Sequence, residues 1–196
     1  MAASETEIVN IALARIGEKS ILALTDDSDR ARVASALFAV TRDEVLAAGE
    51  WNEATKRDSL AQLAGSPKYG FARQFQIPPD CLRILETDDD SFPWRREGNT
   101  LVTDRSSVSI KYIFRLTDPT KFSPALTSAL AYRLASDMAE TIAGKASLQK
   151  LMLEKYGAAL VAARGVNTKE GGNEQHPGTP KEQTRDTYQP LLDARY

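Results

Sequence analysis

One cysteine, Cys81, and one histidine, His176, are the chain's whole supply of the two side chains most used in nucleophilic catalysis and metal binding. No intrachain disulfide can form, so a hydrophobic core has to hold the fold. A lone thiol and a lone imidazole do not make a structural zinc site. His176 also sits among polar residues, where no wall would orient its ring, which argues against a Ser-His-Asp or Cys-His pair. Long apolar runs are missing too, so no transmembrane helix is expected. The opening MAASETEIVN has neither the basic nor the apolar region of a secretory signal, and none is expected. Neither sign of charge prevails: 25 Lys and Arg stand against 27 Asp and Glu, a net charge of −2. That excludes a strongly basic nucleic-acid binder. The one glycine pair, Gly171-Gly172, has no strand before it or helix after it, so it is no phosphate cradle. The expectation is a soluble protein of a reducing cytoplasm with no cofactor and no metal.

Apolar periodicity supplies the rest. Ser4-Glu5-Thr6-Glu7 is a capping box, and Ile8, Val9, Ala12, Leu13 and Ile16 follow on one helical face, closed by Gly17. Thr25 to Asp29 opens a second helix with acids suited to its positive end. Its buried stripe is read as Val33, Leu37, Val40 and Val45 with Phe38 beside it, leaving Arg30, Arg32, Arg42, Asp43 and Glu44 on the wetter side. A third helical stretch is expected from Trp51 to Leu63, after a break at Gly49. From Tyr69 the pattern turns to strands: Phe71 to Ile77, stopped by Pro78-Pro79-Asp80; Cys81 to Thr87, ended by Asp88-Asp89-Asp90; Leu101 to Thr103 after a turn at Gly98-Asn99; and Val108 to Phe114 with a period of two. Ser123-Pro124 then starts a helix, with Leu126, Leu130, Leu134, Met138 and Ile142 recurring every four residues up to Gly144. Ser147 caps a last helix with Leu148, Leu151, Met152, Ala159, Leu160 and Ala163 inward, ended by Gly165. The fold class is therefore α+β, mainly α: a helical bundle with a small antiparallel β insertion and an extended C-terminal tail. The divisions are N-terminal helices over 1–67, the insertion over 68–116, C-terminal helices over 117–165 and the extension over 166–196.

Asn167 to Thr187 holds no residue of the set Ala, Val, Ile, Leu, Met, Phe, Trp, Tyr or Cys. Such a stretch buries too little apolar surface to offset its ordering entropy. Apolar residues then return at Tyr188, Leu191, Leu192 and Tyr196, with Pro190 among them. A polar tether ending in apolar residues reads as a docking peptide, and equally as a frayed terminus. The tether spans roughly 25 Å as a coil, and about 70 Å stretched.

The candidates for chemistry each have a plainer reading. Glu44, Glu50 and Glu53 lie near Trp51 and are the carboxylates a glycoside-cleaving pair would draw on, the indole stacking on a sugar; Trp51 equally anchors a core. Asp88-Asp89-Asp90 lacks the alternating ligands and turn glycine of a calcium loop and reads as a solvated turn. Cys81 reads as a buried, inert thiol. Trp94 with Arg95-Arg96 is the densest cationic and aromatic spot, able to touch nucleic acid, and reads first as an exposed hairpin or an inter-subunit salt-bridge site.

Three stretches carry a resemblance. Asn10-Ile-Ala-Leu-Ala-Arg-Ile-Gly17 with Ile21, Asp43-Glu-Val-Leu46 with Trp51-Asn52 and Ala54, and Phe75-Gln-Ile-Pro-Pro-Asp-Cys-Leu-Arg-Ile84 resemble the head-to-tail adaptor family of short-tailed bacteriophages. These are the tail tubular protein A, or packaged-DNA-stabilising connector, proteins. Glu97-Gly98 through Tyr112-Ile113, Asp118-Pro119, Leu130-Ala131 and Leu134-Ala135 continue the likeness, which spans about residues 4–165. Glu53 departs from it, standing where the family often has phenylalanine, and no motif covers the extension from 166. The resemblance implies a non-enzymatic virion subunit in a homo-oligomeric ring of about twelve copies, seated beneath a portal protein. It implies that the β part faces the downstream tail tube or nozzle protein and tail fibres, and that genomic DNA passes through the lumen without specific binding. It implies a C-terminal segment that reaches into the portal, a role that Tyr188, Pro190, Leu191, Leu192 and Tyr196 suit as a docking hypothesis. It implies no membrane partner. The alternatives are a virion-associated peptidoglycan hydrolase on the same scaffold and a nucleic-acid-binding regulator.

Overall fold

A computed structural model describes residues 4–170, with side chains described to residue 165. Four helices, α1 (Glu5–Arg15), α2 (Asp29–Ala48), α3 (Pro124–Ala143) and α4 (Ala146–Glu170), bracket six strands. The strands are β1 (Thr55–Ser59), β2 (Arg73–Gln76), β3 (Cys81–Thr87), β4 (Trp94–Glu97), β5 (Thr100–Thr103) and β6 (Ser109–Phe114). All pairings are antiparallel, in two three-stranded sheets of order β1-β6-β3 and β2-β5-β4. The fold is thus mixed α+β and mainly α.

The ends of the helices obey local chemistry. Ser4 Oγ accepts from the Glu7 N–H at 3.2 Å and Glu7 returns the bond to the Ser4 N–H at 2.8 Å. Gly17, at φ +81°, closes α1: its own N–H reaches the Ala14 carbonyl and that of Glu18 the Leu13 carbonyl. This is the double bond pattern that a left-handed residue permits after a helix. The loop beyond is pinned by Asn10, whose amide donates to the Ile21 carbonyl at 3.0 Å and accepts from its N–H at 2.9 Å. Ser123 caps α3, with Pro124 in the first turn.

Helix α3 is the axis of the bundle and touches the other three. Leu126, Leu130, Leu134 and Met138 are buried, as are Ala129, Ala131, Ala135 and Ala139. The alanines bring neighbouring helices close. Arg15 of α1 stacks its guanidinium 3.5 Å from the Tyr132 ring centroid and donates to Ser128 at its carbonyl and its Oγ.

Two cores share one sheet. Ile113 and Leu116 belong to the helical core. Ile110 and Tyr112 point the other way, into a smaller core with Leu60, Phe75, Ile77, Cys81, Leu101 and Val108. Strand β3 has to serve both. Its register against β6 skips Leu82 and Leu85, each an extra residue in a bulge. Those two side chains pack on the helical core, while Cys81 and Ile84 face the small one. A regular strand sends residues three apart to opposite faces; two bulges remove that constraint.

Several expectations are corrected here. The segment expected as a third helix from Trp51 to Leu63 is one 3-10 turn, Asn52–Ala54, followed by β1, and so a strand forms ahead of the region expected to hold the β insertion. Its Lys56, Arg57 and Asp58 lie on a sheet edge, where charged side chains deter further pairing. On α2 the buried face is Ala31, Ala34, Phe38, Thr41, Arg42, Val45 and Leu46, and Val40 is exposed. Helix α4 starts at Ala146, with Ser147 already inside it, turns Leu151 outward, and runs past Gly165 to Glu170. A glycine inside a helix costs about 1 kcal/mol relative to alanine, too little to end it. Strand β2 begins at Arg73 rather than Phe71.

Candidate functional site

Trp51, one of the residues singled out by the sequence, lies at the junction between the helices and the first sheet. Trp51 is 1% exposed, and its Nε1 donates to the Val45 carbonyl at 3.0 Å. Gly49 leaves room for the indole: a β-carbon there would overlap Cε2 and Nε1 of the ring. Arg83 of β3 donates to the Gly49 carbonyl at 2.8 Å, tying the sheet to the end of α2. Next to this, Asp43 is held on both sides. Arg42 gives it two bonds at 3.0 and 2.8 Å, and Arg115 gives one at 2.7 Å. The Arg115 N–H in turn bonds the Asp80 carbonyl at 2.8 Å.

The Pro78-Pro79-Asp80-Cys81 stretch is a turn closed by the Cys81 N–H on the Pro78 carbonyl at 3.0 Å. Asp80 pairs with Lys56 at 3.0 Å and accepts from the Tyr112 hydroxyl at 3.4 Å. Burial first, then the Asp80 and Asp58 charges, push the Tyr112 phenol up to about 12. It therefore remains a donor at physiological pH. Burial also raises the Cys81 thiol, with the carboxylate of Asp80 adding to it against the opposing charge of Arg96. A thiol held protonated is a poor nucleophile.

The three carboxylates considered for hydrolysis are all engaged. Glu44 pairs with Arg133 at 3.0 Å, Glu53 accepts from the Ser123 N–H at 3.1 Å, and Glu50 lies 3.9 Å from Arg83. The indole that would stack on a sugar is inside the core. Asp88 and Asp89 share Arg105 at 3.1 and 3.5 Å, and Asp90 accepts from Thr87. Among the described residues no three His, Cys, Asp or Glu side chains gather to hold a metal, and no helix is long and apolar enough to cross a membrane. Trp94, Arg95 and Arg96 lie on the β4–β5 hairpin, where Arg96 turns back to the Gly98 and Leu82 carbonyls. Tyr188, Pro190, Leu191, Leu192 and Tyr196, with His176 and Gly171-Gly172, lie outside the described residues.

One cluster was not legible beforehand. Arg133 of α3 bridges Glu44 of α2 at 3.0 Å and Asp137 at 3.3 Å, and Asp137 accepts from Thr41 at 3.2 Å. Tyr156 of α4 lies close enough to feel all three charges. The i, i+4 spacing of Arg133 and Asp137 was the one sequence signal. Burial raises Asp137 above the ordinary aspartate range, outweighing the shared Arg133 and the Thr41 bond. A carboxyl raised on folding contributes stability at pH below its unfolded value and loses it as pH climbs through the folded one. Asp137→Asn is therefore expected to melt higher than wild type at pH 7 and level with it near pH 4 in thermal scans. A lower melting point at pH 7 would show that the ion pair outweighs desolvation.

Surface clefts among the described residues include one of about 250 Å³, among Arg57, Glu86, Asp88 and Lys111, and one of about 400 Å³, among Glu18, Asp29, Arg30 and Ile142. Both mix signs of charge, and Lys111–Glu86 and Arg30–Glu18 pair within them at 3.4 and 3.6 Å. No protein-family model matches the chain, and no curated protein matches it.

Proposed function

We propose that the chain is a structural subunit of a phage head-to-tail connector, a ring of about twelve copies that docks beneath the portal, extends the DNA channel and presents a platform to the tail. The observation that carries this reading is where the three family-like stretches fall. Asn10 to Ile21 is the side-chain lock on the first loop, Asp43 to Ala54 the helix–sheet joint, and Phe75 to Ile84 the bulged strand that serves both cores. Residues fixed by joints rather than by a pocket suit a part whose work is to keep its shape under load.

Two further features support it. The near-neutral charge suits a conduit, since a basic wall would hold DNA phosphates at many points. Ring symmetry repeats each weak contact, so a modest apolar peptide on every subunit adds up to a firm joint. The subunit would be made in the host cytoplasm and end in the neck of the virion, between portal and tail tube or nozzle.

The test is mixing with portal. Full-length protein is expected to form rings on portal visible by negative stain, and protein cut after Glu170 is expected to lose them with unchanged helical circular dichroism. Equal binding by the cut protein removes the docking role of Tyr188 to Tyr196. Clearing of a peptidoglycan zymogram that Glu44→Gln, Glu50→Gln or Glu53→Gln abolishes would replace the structural reading with the hydrolase.

A further inference from the structure

The two sheets have four outer edges, β1 and β3 in the first and β2 and β4 in the second. Two of them are occupied. Residues 61–63 run along β2, with the Gln76 N–H on the Ala61 carbonyl and the Leu63 N–H on the Gln74 carbonyl, both at 2.9 Å. Strand β3 is bulged twice, and Arg96 donates to its Leu82 and Cys81 carbonyls at 3.1 and 3.4 Å. No segment runs along the outer side of β1 or of β4 among the described residues. These two edges lie on opposite sides of the molecule, because residues 61–63 join β1 to β2 on one side and Arg96 holds β4 by β3 on the other.

The backbone limits how the two edges can pair. The Leu60 N–H bonds the Val108 carbonyl at 2.9 Å, so along β1 the even-numbered residues face β6, and Arg57 and Ser59 turn their backbone groups outward. The Asn99 carbonyl accepts from the Ile77 N–H at 3.0 Å, so Thr100 and Val102 face β4. Their partners Glu97 and Arg95 are thereby tied inward, and Trp94 and Arg96 turn their backbone groups outward. An antiparallel pair of the two edges has to bring outward groups together. One such register places Arg57 opposite Arg96, and with it Asp58 opposite Arg95 and Lys56 opposite Glu97 on one face. A slip of two residues sets Lys56 against Arg95 in one direction and Asp58 against Glu97 in the other, like charge against like. Asp58, Arg95 and Glu97 are exposed, and their side chains make no hydrogen bond or ion pair among the described residues. The like-charged Arg57 and Arg96 fall on the opposite face, where Arg96 already serves the β3 carbonyls.

We propose that β1 of one copy pairs antiparallel with β4 of a second copy, in the register that sets Asp58 against Arg95 and Lys56 against Glu97. Main-chain hydrogen bonds supply the affinity and the charge pairs the register. Charges that deter an indiscriminate strand admit one whose charges answer them. Because the edges differ and lie on opposite sides, each copy offers one to either neighbour, the head-to-tail arrangement that generates rings. The pairing rests on the strands alone; its closure into a connector ring rests on the function proposed above.

Disulfide trapping tests it. Residues opposite one another outside the hydrogen-bonded pairs have Cα atoms about 4.5 Å apart, within reach of a disulfide. Concentrated full-length Asp58→Cys protein mixed with Arg95→Cys protein is expected to give a cross-linked dimer under mild oxidation, and neither variant alone is expected to. Replacing the partner by Arg96→Cys is expected to abolish the cross-link. Equal yields from Arg95→Cys and Arg96→Cys, or none from either, overturn the proposal. In sedimentation velocity Arg95→Glu, at an exposed position, is expected to weaken self-association about tenfold, and Asp58→Arg added to the same chain is expected to restore it. Failure of the second change to restore it also overturns the register. Rings on portal without the 58–95 cross-link overturn this pairing and leave the connector reading standing. The cross-link in protein that ignores portal keeps the pairing and removes that reading.

Discussion

Trp51→Ala is expected to cost about 3–5 kcal/mol of folding free energy, enough to unfold much of a marginally stable domain at growth temperature. The indole is fully inside the helical core, and its removal leaves a void where α2, the 3-10 turn and the sheet meet. Its Nε1 bond to the Val45 carbonyl is lost as well. Gly49→Ala is the complementary insult. The glycine backbone, at φ −105° and ψ 172°, is open to any residue, so the cost comes from the new methyl striking the ring. Overpacking of this sort costs about 1–3 kcal/mol. Combined, the two changes are expected to cost less than their sum, because alanine at 51 removes what the methyl at 49 strikes. Denaturant titration of the two single variants and the double checks this. Strict additivity would mean that Gly49 and Trp51 do not meet.

Phe75→Ala is expected to be as severe but confined to one part of the molecule. Phe75 is 1% exposed in a core with seven other buried side chains. Truncating a buried phenylalanine costs about 3–5 kcal/mol, and so small a core has few other contacts to hold the second sheet. The expected result is fast amide exchange across β2, β4 and β5, with α1, α2 and α3 still protected, since the helical core draws on a different set of residues. Uniform acceleration across the chain would mean that the two cores melt as one.

Neighbours in sequence decide where several of the elements begin and end. Ser4 and Glu7 fix the start of α1, Gly17 its end, and Ser123-Pro124 the start of α3, because capping involves only the next few backbone groups. The every-fourth-residue leucines of α3 and the span of β3 are likewise local signals. The Asp80–Cys81 joint was visible as a motif, though its role in linking Lys56, Tyr112 and Arg115 was not.

What tertiary structure decided is where local signals are equivocal. Thr55 to Ser59 has helix-compatible composition, and β6 captures it as a strand by pairing with Ser109 to Ile113. Helix α2 has two candidate faces, and the alanines turn inward because the close approach to α3 rewards small residues, leaving Val40 in water and drawing Arg42 inside with Asp43 as its partner. Leu82 and Leu85 reach one face only because the register slips twice. Each outcome turns on which surface another segment offers from across the chain, so no pattern along the sequence alone could fix it.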